Sequence, residues 1–164
     1  MRIQGNTNFW HIFNLHNKKN KSMEEQEEVY KARKENQQLD QALYQHDIAK
    51  VYEEQAKIEN IAKKIARGES LTKEEMELIN RVDPEMYRKA EMAKQEGEEL
   101  KNNIKRAKSK QEARNMLAQA CMKSQQMTQV DPQYGSLVME AIKNSAEDIL
   151  DSNKITQYEK NRID

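Results

Sequence analysis

The stretch YQHDIAKVYEEQAKIENIAKKI, residues 44–65, decides the fold class. Within it Tyr44, Ile48, Val51, Gln55, Ile58, Ala62 and Ile65 recur at alternating intervals of four and three. That is the heptad period of a helix with one narrow seam turned toward a partner helix. No Pro or Gly interrupts residues 23–66, and Gly68 stands where a C-terminal glycine cap belongs. The spacing therefore predicts one long helix over 23–66. Extended backward, its seam runs through Gln41, Gln37, Lys34, Tyr30 and Glu27 and becomes polar.

A second seam has the same rhythm: Met86, Ala90, Ala93, Gly97, Leu100, Ile104 and Ala107. Laid antiparallel, the two pair Ile65 with Met86, Ala62 with Ala90, Ile58 with Ala93 and Gln55 with Gly97. Val51 then meets Leu100, Ile48 meets Ile104 and Tyr44 meets Ala107. Large residues mostly face small ones, which allows close approach of the axes. Gly97 costs up to about 1 kcal/mol of helix propensity, so a close backbone approach is its expected cause.

Helix starts are written locally. Thr72 with Glu75 forms a capping box, and Asp83 followed by Pro84 supplies a cap with Pro at the first helical position. These bound a short plug helix, 72–81, expected to close the open end of the hairpin. Ser109 with Glu112 predicts a break or kink near 108–110, and Asp131-Pro132 restarts the chain again. The fold expected is all-α: an elongated antiparallel helical hairpin, coiled-coil-like, with a short plug helix and two further C-terminal amphipathic helices. Its pieces are a flexible aromatic and basic arm over 1–22, the hairpin over 23–108, C-terminal helices over 109–151 and a polar tail over 152–164.

Composition agrees with an object held by seams rather than a thick core. Leu, Ile, Val and Phe supply only 28 of 164 residues, and 34% of the chain is charged. A net charge of zero and helical spacing of the apolar residues argue against disorder. The lone Cys121 excludes an intramolecular disulfide and suits a reducing compartment. With no leader-like segment or membrane-length apolar run, the expected location is cytoplasmic, although leaderless export would leave no trace in the sequence.

No constellation points to catalysis or to a cofactor. His11, His16 and His46 have no helical ligand spacing, and Cys121 has no second cysteine at a zinc-type interval, so no metal site is expected. Scattered glycines form no phosphate-cradling loop. Carboxylate pairs such as Glu98 and Glu99 belong to solvated helix faces rather than to an enclosed site able to shift their pKa values. An enzyme and a small-molecule substrate are accordingly not expected. The basic run Lys101, Lys105, Arg106, Lys108, Lys110 and Arg114 circles its helix instead of lining one side, which disfavours nucleic acid.

The arm is the sharpest functional feature. Phe9, Trp10 and Phe13 are the only Phe and Trp residues, and with Ile12 and Leu15 they precede Lys18, Lys19 and Lys21. Aromatic anchors beside a basic flank suit a partner-binding motif, or shallow insertion at an anionic membrane surface. The competing expectation is that the arm folds back and fills a gap in the bundle. The function expected is a non-enzymatic helical protein–protein interaction module, an adaptor or scaffold. It would bind another protein, or a second copy of itself, through Phe9, Trp10, Ile12, Phe13, Leu15 and the polar half of the first helix. The alternative is a peripheral membrane-surface protein anchored by the arm, and more distantly a nucleic-acid-binding helical protein.

Overall fold

A computed structural model describes residues 8–150, with their side chains as far as Glu147. The first seven residues and the polar tail lie outside the described residues. Among the described residues the chain is all-helical: α1 (Phe9–Asn17), α2 (Met23–Glu35), α3 (Gln37–Ala66), α4 (Lys73–Val82), α5 (Pro84–Lys105), α6 (Lys110–Val130) and α7 (Pro132–Leu150). None of these helices is long and apolar enough to cross a membrane. The chain divides into two compact units, Met1–Gln55 and Ala56–Asp164, with α3 running from one into the other.

The helix expected over 23–66 is broken at Asn36. There the backbone leaves the helical region, with φ −134° and ψ 100°. The Asn36 N–H still donates to the Ala32 carbonyl at 3.1 Å, while its Oδ1 accepts from the Leu39 N–H, also at 3.1 Å. One buried side chain thus ends α2 and starts α3, because asparagine offers nearby backbone groups a partner that competes with the helix ladder. Asp83 and Asp131 repeat the arrangement with φ/ψ of −145°/78° and −134°/95°. Their N–H groups donate to Ile79 at 2.9 Å and Met127 at 2.8 Å. Their carboxylates accept from Met86 at 2.9 Å and Tyr134 at 3.0 Å.

The other local signals take the expected form. Thr72 Oγ1 accepts from the Glu75 N–H at 3.2 Å, and the Glu75 carboxylate accepts from the Thr72 N–H at 3.0 Å. Gly68, at φ +74°, closes α3 as only glycine does without strain: Gly68 N–H donates to Ile65 and Glu69 N–H to Lys64. The chain is also interrupted between Lys105 and Lys110, where Ser109 Oγ accepts from the Glu112 N–H at 3.1 Å.

The first unit buries Ile12, Val29, Ala32, Leu39 and Leu43, with Phe9, Phe13 and Leu15 packed against them. Residues 9–17 are therefore a packed helix, where a flexible arm was expected. In the second unit Ile58, Ile65, Met86, Ala93, Leu100 and Ile104 share a single cluster with Leu137, Val138, Ala141 and Ile142 of α7. The plug residue Ile79 is fully buried in the same cluster.

Gly97 on α5 faces Ala141 on α7. A Cβ on Gly97 would lie 2.8 Å from Ala141 Cβ and 3.2 Å from the Ala141 carbonyl oxygen. Close approach is the reason for this glycine, but α7 is what approaches. The buried Ser145 hydroxyl sits at the crossing, its single proton shared between the Ala141 carbonyl at 2.9 Å and the Gly97 carbonyl at 3.0 Å. A second crossing occurs at Gly135, where a Cβ would collide with backbone and side-chain atoms of Thr128 on α6. Asn144 Nδ2 adds a bond to the Arg67 carbonyl at 2.9 Å, just before the Gly68 cap.

Candidate interaction surface

In α1, the Asn8 side chain accepts from the Trp10 N–H at 3.1 Å and starts the helix. Phe9, Ile12 and Phe13 then fall on one side at i, i+3 and i+4. Ile12 is 1% exposed, whereas Trp10 is 58% exposed. Phe9 and Phe13 stack at 5.8 Å, and Trp10 meets both rings edge-on at 5.4 and 5.9 Å. Of the residues assigned to a binding arm, Phe9, Ile12, Phe13 and Leu15 thus serve the local core, and Trp10 alone is strongly exposed.

Polar bridges hold α1 in place. His11 Nε2 lies 2.9 Å from Glu28 on α2, and His16 Nε2 lies 2.7 Å from Asp47 on α3. His46 Nε2 donates to Asn17 Oδ1 at 3.1 Å, the same oxygen takes the Lys50 ammonium, and the His46 ring lies 4.8 Å from Phe13. All three histidines are therefore engaged in joining α1 to the rest of the unit. Among the described residues no three His, Cys, Asp or Glu side chains converge in a way that could hold a metal ion.

The first twenty residues of α3 have two unlike faces. Leu39 and Leu43, both 0% exposed, point into the core. Tyr44, Val51 and Tyr52 are 58%, 64% and 67% exposed, with Ile48 half-buried between them and Gln55 exposed beyond. The upper half of the expected seam, Tyr44 through Val51, is thus an apolar stripe open to solvent, bounded by Gln41 and Gln55. Tyr52 was not singled out from the sequence. Its signal was its place beside Val51, one step off the strict heptad, which widens the stripe.

In the second unit a shallow groove of about 370 Å³ is lined by Met127, Val130 and Tyr134 at the α6–α7 corner. Ion pairs close its surroundings: Lys89 with Asp131 at 2.8 Å, and Lys123 with Glu96 at 2.9 Å. The hydrogen bond from Lys89 holds the Asp131 carboxyl below its ordinary range, and the same bond raises Lys89. Glu96 likewise raises Lys123, and burial raises the Tyr134 hydroxyl. These shifts stabilise the charged lysines and carboxylate and the neutral phenol, the forms each group already has at neutral pH. The basic run from Lys105 to Arg114 spreads over the end of α5, the junction and the start of α6, and is exposed at Lys105, Arg106, Lys108, Lys110 and Arg114. Cys121 is half-buried on α6.

No protein-family model matches the chain, and no curated protein or solved structure matches it.

Proposed function

We propose that this chain is a non-enzymatic helical protein–protein interaction module, an adaptor or scaffold, whose docking face is the Tyr44–Ile48–Val51–Tyr52 stripe of α3. The observation that carries the reading is the exposure of three large side chains in register on one helix face. Burying such a side chain stabilises a contact by about 1.5–3 kcal/mol, so a stripe of this kind can supply a docking energy. In this reading the seam has two jobs. Its lower half, Ile58 to Ile65 with Met86 to Ala93, is the structural part of the hairpin, and its upper half receives a partner. α1 acts by bracing α3, through His16–Asp47 and Asn17–His46, rather than by binding directly. Cytoplasmic placement belongs to the same proposal and rests on the lone Cys121.

A photo-reactive residue replacing Val51 tests it. A discrete crosslinked species in the producing cells is expected from position 51 and not from Glu53, which the helical period places well away from the stripe. Adducts of equal strength from both positions would remove the reading. The sole tryptophan, Trp10, reports the membrane alternative. Its emission shifts to the blue with anionic vesicles only if α1 inserts.

A further inference from the structure

We infer that the occupant of the α3 stripe is an amphipathic helix of another protein whose apolar face is flanked by Lys or Arg. The inference rests on the docking reading above and adds the chemistry of the partner. Over residues 37–55, α3 carries Asp40, Asp47, Glu53 and Glu54, and Lys50 is its one base. Lys50 is turned away from the stripe, onto the Asn17 side chain. Asp40 is answered by Arg33 at 2.6 Å and Asp47 by His16. Asp47 still leaves 44% of its side chain in solvent, and Glu54 is exposed.

With the heptad set by Tyr44 and Val51, Asp40, Asp47 and Glu54 fall along one edge of the stripe. The other edge carries Gln45 and Tyr52, then Glu59 beyond. A helix packing here therefore meets acid on one side and no base on the other.

A second copy of this chain fits poorly. Antiparallel pairing sets Asp47 and Glu54 against the same two residues, and parallel pairing sets Glu54 against Glu59. Like charges across a helix pair are unfavourable in both cases, whereas Lys or Arg at the partner's flanking positions is attracted. The apolar part, Tyr44 to Tyr52, spans little more than two turns before Gln41 and Gln55 end it. The partner's apolar stripe is correspondingly short, and its association is sensitive to salt.

The test uses the full chain and two fluorescein-labelled helical peptides that share leucine at the heptad core positions, one flanked by lysine and the other by glutamate. Fluorescence anisotropy at low salt is expected to show the lysine peptide binding at least about ten-fold more tightly than the glutamate peptide. Val51→Asp should weaken the lysine peptide by a similar factor, although it adds a negative charge, and Glu54→Lys should narrow the preference. Equal or tighter binding of the glutamate peptide, still lost in Val51→Asp, overturns the basic partner and leaves the docking face standing. Binding that Val51→Asp does not change, or no binding of either peptide, overturns both. A dimer in light scattering that Val51→Asp dissolves makes the second copy the occupant and overturns the inference.

Discussion

The first unit is built on Ile12, Val29, Ala32, Leu39 and Leu43, while the second buries a much larger cluster drawn from α3 to α7. They are also fastened differently. In the second unit helices approach through small residues, Gly97 against Ala141 and Gly135 against Thr128, so that backbones nearly touch. In the first, α1 packs Ile12, Phe9, Phe13 and Leu15 into the local core and adds the side-chain bridges His11–Glu28, His16–Asp47 and His46–Asn17. Hydrogen bonds contribute about 1 kcal/mol each in net terms, because water offers the same groups partners in the unfolded chain. Large apolar side chains are exposed in both: Trp10, Met23, Tyr30, Tyr44, Val51 and Tyr52 in the first unit, and Met76, Val82, Met92, Met122 and Val130 in the second.

Leu43→Ala empties a fully buried position in the small core. A loss of about 2–5 kcal/mol is expected. Trp10 fluorescence should report early unfolding of the first unit in urea, while far-UV circular dichroism retains the helices of the second. One concerted transition by both probes would show that the units do not differ in stability as described.

Gly135→Ala attacks the other side of the comparison. Its new methyl group meets the Thr128 backbone, so about 3 kcal/mol should be lost despite the better helix propensity of alanine. Gly97→Ala, facing a methyl group and a carbonyl rather than backbone nitrogen, should cost less, about 1–2 kcal/mol. The order of the two urea midpoints is the measurement, and the reverse order would contradict the packing account.

Asn36→Ala removes the cap shared by α2 and α3 and should cost about 1 kcal/mol, with faster amide exchange at Leu39. Acidification has a smaller effect. Asp131 is held below its ordinary range by Lys89 and the Tyr134 N–H, Glu75 by Lys64 and the Thr72 N–H, and Glu25 by Lys18 and the Ser22 N–H. Folding therefore favours the ionised form of each. The contribution is complete at neutral pH and is lost as pH falls from about 4 downward, through the folded pKa values. The second unit, with Asp131 and Glu75, should lose more between pH 7 and pH 3 than the first, where Glu25 is the carboxylate so held. Smallest of all, Val51→Asp should change stability by less than about 0.5 kcal/mol, because the site is exposed. A large loss there would mean that Val51 belongs to the core.

Legibility followed distance along the chain. Thr72–Glu75, Asp83-Pro84, Ser109–Glu112, Asp131-Pro132 and Gly68 were readable because each bond they make closes within a few residues. Asn36 obeys the same chemistry yet was missed. It lies in the polar run ENQQ, with neither a following Pro nor a Glu three residues on to distinguish it. Of the candidate site, the aromatic cluster and the apolar spacing of α3 were visible. What was not visible is which of these faces finds a cover.

The sequence alone determined that this chain is helical, where most of its helices begin and end, and that Gly97 marks a close approach. Capping and periodicity are short-range, and they are complete within a turn or two of backbone. Packing between distant segments makes Ala141 the neighbour of Gly97, sets Phe9 and Phe13 against a core, and leaves Tyr44 and Val51 exposed. A heptad stripe specifies that a face wants burial without specifying against what. That choice depends on contacts between residues far apart in the chain, and one sequence pattern satisfies several of them equally well.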